Sequence, residues 1–296
     1  MEFKFGADPE YFASKVINDK SFCVPPLVIR RMGFPLVKED EKHPQFKIVD
    51  GIGGEIIIHE DGAAFELSVP ASKNMKTVWK NCKMGQEEIE RIAKEFGFNF
   101  SPIPTIDFDI EEFKYDPEAI YCTRFGCDKD FDAWEKETVQ MEEDASLHKH
   151  RYGGGHIHAS IKDSKILKDS PVPAIKAVSF TAGNYITSIS PYPELDYIRT
   201  YRYGRPGRFR PQKYPDGCFG IEYRTPSNAW TSIKDELIID EIEYWIKIGI
   251  ERVLMNPEIL DILTMEIREQ TFEAILKCNQ ALAKQNLQFI KDVLHI

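Results

Sequence analysis

The stretch Gly153-Gly154-Gly155-His156-Ile157-His158-Ala159-Ser160-Ile161 carries two signals at once. From His156 onward, polar and apolar residues alternate, the period of a β-strand with one face in a core. Ile157, Ala159 and Ile161 share one face, and His156, His158 and Ser160 share the other. The glycines ahead of the strand let the backbone approach a ligand closely or take positive φ. A plain flexible turn entering a strand is the alternative.

Three other segments alternate in the same way. Phe3, Phe5 and Ala7 lie opposite Asp8 and Glu10; Ala63, Phe65, Leu67 and Val69 lie opposite Glu66 and Ser68; Phe219, Ile221 and Tyr223 lie opposite Glu222 and Arg224. If the four strands share a sheet, one face gathers Asp8, Glu10, Glu66, His156, His158, Glu222 and Arg224. Converging carboxylates repel unless a cation offsets them. Carboxylates with imidazoles suit Mg²⁺ or Mn²⁺. Each segment taken singly could be an ordinary solvated face. Such faces usually carry Lys, Thr, Ser and Gln, however, and lysine is scarce near these positions, which favours a shared site.

The remaining pattern is α+β in a single domain spanning 1–296. Residues 1–72 read as strands and turns. Within them, Glu55–Val69 reads as a hairpin, because Asp61-Gly62 separates two strand-like runs. Residues 74–97 and 173–188 read as helices, the first stopping at Gly97. Residues 217–225 read as a strand. Residues 105–150 are acidic, aromatic and irregular, and read as a loop-rich insertion with short helices. Residues 232–296 read as a helical block broken at Pro257.

Between 199 and 213, Arg199, Arg202, Arg205, Arg208, Arg210 and Lys213 interleave with Tyr201, Tyr203 and Phe209. Arginine forks suit phosphates and carboxylates. A loop paired with the acidic insertion is the plainer reading. The formal charge of −10 disfavours broad nucleic-acid binding. The six cysteines are scattered, and Cys122 with Cys127 lacks the further ligands that a zinc site needs. With neither a signal-peptide pattern nor a long apolar run, a cytoplasmic protein with no membrane segment is expected.

In order, Gly6-Ala7-Asp8-Pro9-Glu10, Asp61-Gly62 with Glu66, Gly154-Gly155-His156-Ile157-His158 and Glu222-Tyr223-Arg224 resemble the motifs of the carboxylate–amine ligases. That group includes glutamine synthetase and glutamate–cysteine ligase. The resemblance is greatest to the phage-type amidoligases, whose Arg-Tyr-Gly and Phe-Arg pieces are similar to those at 202–210. It covers about residues 3–230. It implies a glutamine-synthetase-like fold, a curved antiparallel sheet holding ATP and Mg²⁺ or Mn²⁺ on its concave face. It further implies that Asp8, Glu10, Glu66, His156 and Glu222 bind metal. His158, Gly154, Gly155, Arg205 and Arg210 would lie on the nucleotide side, and Arg224, with His158, would serve phosphoryl transfer. One departure is Asp8, where the synthetases carry a glutamate. The implied reaction joins a carboxylate to an amine through an acyl phosphate. A metal-dependent hydrolase using the same residues, or a non-catalytic binding relative, is the alternative. A phage-encoded chain of this kind would work in the host cytoplasm.

Overall fold

The structure, a computed structural model, describes residues 1–296 apart from 41–42, 120, 124–129, 136–137, 140–147, 163–164 and 215. Among the described residues the strands are β1 (Phe3–Ile17), β2 (Lys20–Val24), β3 (Gln45–Gly51), β4 (Gly54–Asp61), β5 (Ala64–Ser68), β6 (Asn99–Ser101), β7 (Thr105–Asp107), β8 (Asp130–Asp132), β9 (Thr138–Val139), β10 (His150–Tyr152), β11 (Gly155–Ile161), β12 (Arg208–Lys213) and β13 (Phe219–Tyr223). They form one sheet in the order β10-β7-β2-β1-β11-β13-β12-β8-β9, while β5 and β6 pair with other parts of β1 and the meander continues as β5-β4-β3. The long strand β1 is the spine. Its start pairs with β11, its middle with β5, and its end with β2 and β6. Pairing is antiparallel throughout, apart from β2 with β7. The protein is thus a mixed α+β fold with a large antiparallel sheet flanked by helices.

Turn chemistry sets the hairpins. Asn18 and Asp19 both take positive φ between β1 and β2, the conformation that lets a two-residue turn follow the strand twist. Gly62, at φ 56°, does the same work between β4 and β5, where the sequence expects it.

The helices are α1 (Pro26–Arg31), α2 (Met75–Glu95), α3 (Ile110–Phe113), α4 (Ile166–Asp169), α5 (Pro171–Val178), α6 (Asn184–Ser188), α7 (Pro193–Thr200), α8 (Glu236–Ile248), α9 (Pro257–Glu266), α10 (Arg268–Leu276) and α11 (Gln280–Leu294). Asn74 caps α2 by accepting from the Thr77 amide at 2.8 Å, and Gly97, at φ 81°, follows its end. A π-helical segment, Ser179–Gly183, makes α5 and α6 continuous, and a second, Gly249–Leu254, extends α8. Helix α1 lies in a region read as strands and turns. Pro26 at its first position, with φ already suited to a helix, starts it there.

The main core lies between the helices and the apolar face of the sheet. Phe3, Phe5, Ile157, Ala159, Ile161, Ile221 and Tyr223 meet Val78 of α2, Ile175 and Val178 of α5, and Ile242 and Trp245 of α8. Each large apolar side chain buried this way contributes about 1.5–3 kcal/mol. A second core, with Phe46, Ile56, Ile58, Phe65 and Leu67, sits under Ile89 and Ile92 of α2. Because the helices cover the apolar face, the polar face of the central strands is left for chemistry.

Two segments differ from their sequence reading. Part of 105–150 belongs to the sheet, since β7 and β10 extend one end and β8 joins β12 at the other. The arginine-rich segment is the end of α7, a turn and the strand β12 rather than one loop. Among the described residues no helix is long and apolar enough to cross a membrane.

Candidate metal centre

Antiparallel register decides which side chains meet. Asp8 of β1 lies against His156 of β11, and Gly6 against His158. His158 lies against Glu222 of β13, and Glu222 against Arg210 of β12. Glu10 lies against Glu66 of β5. Side chains directly opposite on one face sit close enough to interact, so five strands deliver their polar residues to one place.

At its centre, His156 Nδ1 is 3.2 Å from Asp8 Oδ1 and 3.7 Å from Glu222 Oε1. His158 Nε2 is 3.3 Å from Asp8 Oδ2. His156 and Glu222 are buried, each 1% exposed, while Asp8 is partly open. Asp8, His156 and Glu222 each offer a ligand atom, all within 4.8 Å of one another. Asp8 Oδ1 is buried and accepts no hydrogen bond. A carboxylate oxygen in that condition is costly unless something positive meets it. This group could hold a metal ion.

The ionisation pattern reflects crowding. Burial pushes Asp8 upward, but the imidazoles of His158 and His156 pull its carboxyl well below the usual carboxylate range. Burial disfavours the His158 cation, yet Asp8 beside it raises its pKa overall. Burial and Asp8 both push Glu222 up, and Arg224 with the two histidines brings it down. Glu66 has no such compensation. Burial, then Asp8, Asp61 and Glu10, raise it well above the ordinary value. Burial also raises Glu10, despite His156 nearby.

Arg224 is buried and held on several sides. Its Nη1 pairs with Glu222, its Nε lies 2.8 Å from Asp130 Oδ1, and its Nη2 donates to Tyr203 Oη at 2.7 Å. Arg210 reaches the same acids, with Nε 3.5 Å from Asp130 and Nη1 3.8 Å from Glu222. Asp130 thus places its charge beside both guanidinium groups. Tyr203 Oη is 2.7 Å from His156 Nε2, and Tyr214 Oη is 3.0 Å from His158 Nδ1. The sequence reading assigned roles to none of Asp130, Tyr203 and Tyr214. Asp130-Phe131-Asp132 and Arg208-Phe209-Arg210 do carry a complementary signal, acids and arginines alternating around a phenylalanine.

The glycine run acts differently from the expected ligand cradle. Gly153 donates its amide to Pro104 O at 2.8 Å, Gly154 to Glu10 Oε2 at 2.6 Å, and Gly155 to Pro226 O at 3.0 Å. None of the three takes positive φ. All three amides are engaged inside the protein, which leaves Gly154 and Gly155 no donor for a phosphate. Their small size serves close packing instead. A Cβ on Gly154 would sit 2.4 Å from His156 Nε2, and one on Gly155 would sit 2.1 Å from Ser227 O. Arg205 is exposed in the turn before β12, where its carbonyl accepts from Thr225 Oγ1 at 2.9 Å. Cys122 is buried, and its thiol donates to Gly62 O at 3.3 Å; Cys127 lies outside the described residues.

Beside Asp8 and His158 opens a cleft of about 410 Å³, lined also by Glu66, Ser68, Ser160 and Tyr214. Small-molecule sites are commonly of this size. No protein-family model matches the chain, and no curated protein is found similar to it.

Proposed function

We propose that the chain is an ATP-dependent carboxylate–amine ligase with a glutamine-synthetase-like fold, working with Mg²⁺ or Mn²⁺ at Asp8, His156 and Glu222. One observation carries this reading. The register of five strands sets Asp8, Glu66, His156, His158, Arg210 and Glu222 on one sheet face, and along the chain these residues follow the order of the ligase motifs.

The reaction would activate a carboxylate as an acyl phosphate, which the amine then attacks to form the amide. Bound at the three ligands, a divalent ion would neutralise phosphate oxygens and polarise the transferring group. The chain's own part is positioning and fixed charge. Arg224 and Arg210, beside Asp130 and Glu222, would supply positive charge for the developing phosphoryl oxygens. His158, held between Asp8 and Tyr214, faces the cleft from the metal side. A bound cation would favour the ionised forms of Glu10 and Glu66, whose pKa values burial and nearby acids raise. The cleft has room for a small molecule next to this charge, which supports a nucleotide or an amine entering there.

ADP formation from ATP is the decisive assay, run with Mg²⁺ or Mn²⁺ against panels of carboxylic acids and amines. Ligase activity requires ADP release that depends on both partners, together with an amide product seen by mass spectrometry. Metal-dependent hydrolysis that ignores ATP would replace this reading with the hydrolase.

A further inference from the structure

Strand β4 carries a charge where its alternation calls for an apolar side chain. Ile56, Ile58 and Glu60 share one face, and the two isoleucines lie in the second core with Phe65 and Leu67. The other face of β4 carries His59, which pairs with Glu66 of the acidic cluster. Glu60 therefore stands on the far side of the sheet from the candidate metal centre, and it is only 8% exposed. Its counter-charge is Arg30 at the end of α1, with Nε 3.4 Å from Glu60 Oε2. Both atoms are buried, and neither has a hydrogen-bond partner among the described residues. An ion pair taken out of water without aligned hydrogen bonds leaves both groups short of what water gave them. Burial accordingly raises the Glu60 pKa, although Arg30 and Arg31 oppose it.

This pair lines a cleft of about 360 Å³, together with Asp40, Glu118 and Tyr121. Small-molecule sites begin near that size. Asp40 and Glu118 are already engaged, by the His43 amide at 3.1 Å and by Arg31 at 2.8 Å. Recognition thus falls to Arg30 and Glu60. A plain amine would complement Glu60 but repel Arg30, and a plain carboxylate would do the reverse. A molecule carrying both charges satisfies the two groups at once. We propose that this cleft is a second binding site, for a free amino acid, whose carboxylate meets Arg30 and whose ammonium meets Glu60. The site is independent of the ligase reading, because it shares no lining residue with the cleft beside Asp8.

Thermal melts of the full chain with each common free L-amino acid, at about 10 mM, screen for the ligand, and calorimetry then measures its Kd. At least one amino acid is expected to bind saturably. Its amide and its deaminated acid, each lacking one charge, are expected to bind about tenfold more weakly. Glu60→Gln should weaken binding by about the same factor, and so should the paired change of Arg30→Gln with Glu60→Gln, which leaves no buried charge unmatched. Asp8→Asn should leave the affinity unchanged. The site is refuted if no amino acid binds, if the amide binds as tightly as the amino acid, or if binding survives the paired change. Binding lost in Asp8→Asn but kept in the paired variant would move the amino acid to the other cleft and overturn the proposal.

Discussion

The two faces of strands β1, β11 and β13 are made from alternate residues of the same segments, yet they solve opposite problems. Toward the helices, Phe5, Ile157, Ala159 and Ile221 pack against Ile175, Ile242 and Trp245 with no charge to balance. Toward the cleft, Asp8, His156, Glu222 and Arg224 stand within a few ångströms of each other, with Asp8 Oδ1 unmatched. Side chains one position apart in sequence thus belong to a region optimised for stability and to a region where buried charges of both signs are crowded together. Crowding of the second kind persists only where the surrounding structure fixes it.

Substitutions can separate the two faces. The largest loss of stability is expected on the packed side, where Trp245→Ala should cost about 3–5 kcal/mol in chemical denaturation. Mn²⁺ affinity of the folded protein should stay within about twofold, because Trp245 lies in the helix layer; a parallel collapse of metal binding would show the faces to be coupled. Asp130→Asn should reverse that balance. It removes one of the two acids that the buried Arg224 and the half-buried Arg210 share, and turnover should fall about 10²-fold, the usual loss when a positioned charge is misdirected. Unchanged turnover would remove Asp130 from the site.

Smaller effects should come from the surplus acids. Folding raises the Glu66 pKa above 4.5, so the folded state holds a proton that the unfolded chain has released. Stability of the metal-free protein should then decline as pH rises above about 4.5 toward the raised value, because the unfolded state binds fewer protons in that window. Glu66→Gln should flatten this decline and raise Tm at neutral pH, as read by thermal melts across pH. A steeper decline would mean that Glu66 is stabilised as an anion. Added Mg²⁺ or Mn²⁺ should raise Tm more at pH 8 than at pH 5, since the acids must be ionised to bind it. Equal shifts at both pH values would place the bound ion elsewhere.

Much of this contrast is legible in the sequence, because alternation is a local property. The strands at 3–10, 156–161 and 219–224 can each be read from their own residues, and so can the cap and stop of α2. Partnering is another matter. That Asp8 faces His156 depends on non-local register, which no single segment encodes, and the sequence supplies it only through motif order. Asp130 escapes because a three-residue strand in an irregular acidic segment has too few positions to show a period. Tyr203 escapes because its contact with His156 comes from the turn after α7, which no local pattern places there. The glycine run shows the limit from the other side. Its composition suggests a ligand cradle, whereas its hydrogen bonds go to Pro104, Glu10 and Pro226.

The pairing of β1 with β11 also bears on which insertions the gene can accept. One residue added between Gly155 and His156 would rotate every later side chain of β11 to the opposite face, sending both histidines into the helix layer and Ile157 into the cleft. Two added residues would restore the faces but slide Asp8 out of reach of its partner. Length variation among descendants of this chain should therefore collect outside the central strands, and β11 should keep its length even where its apolar residues drift.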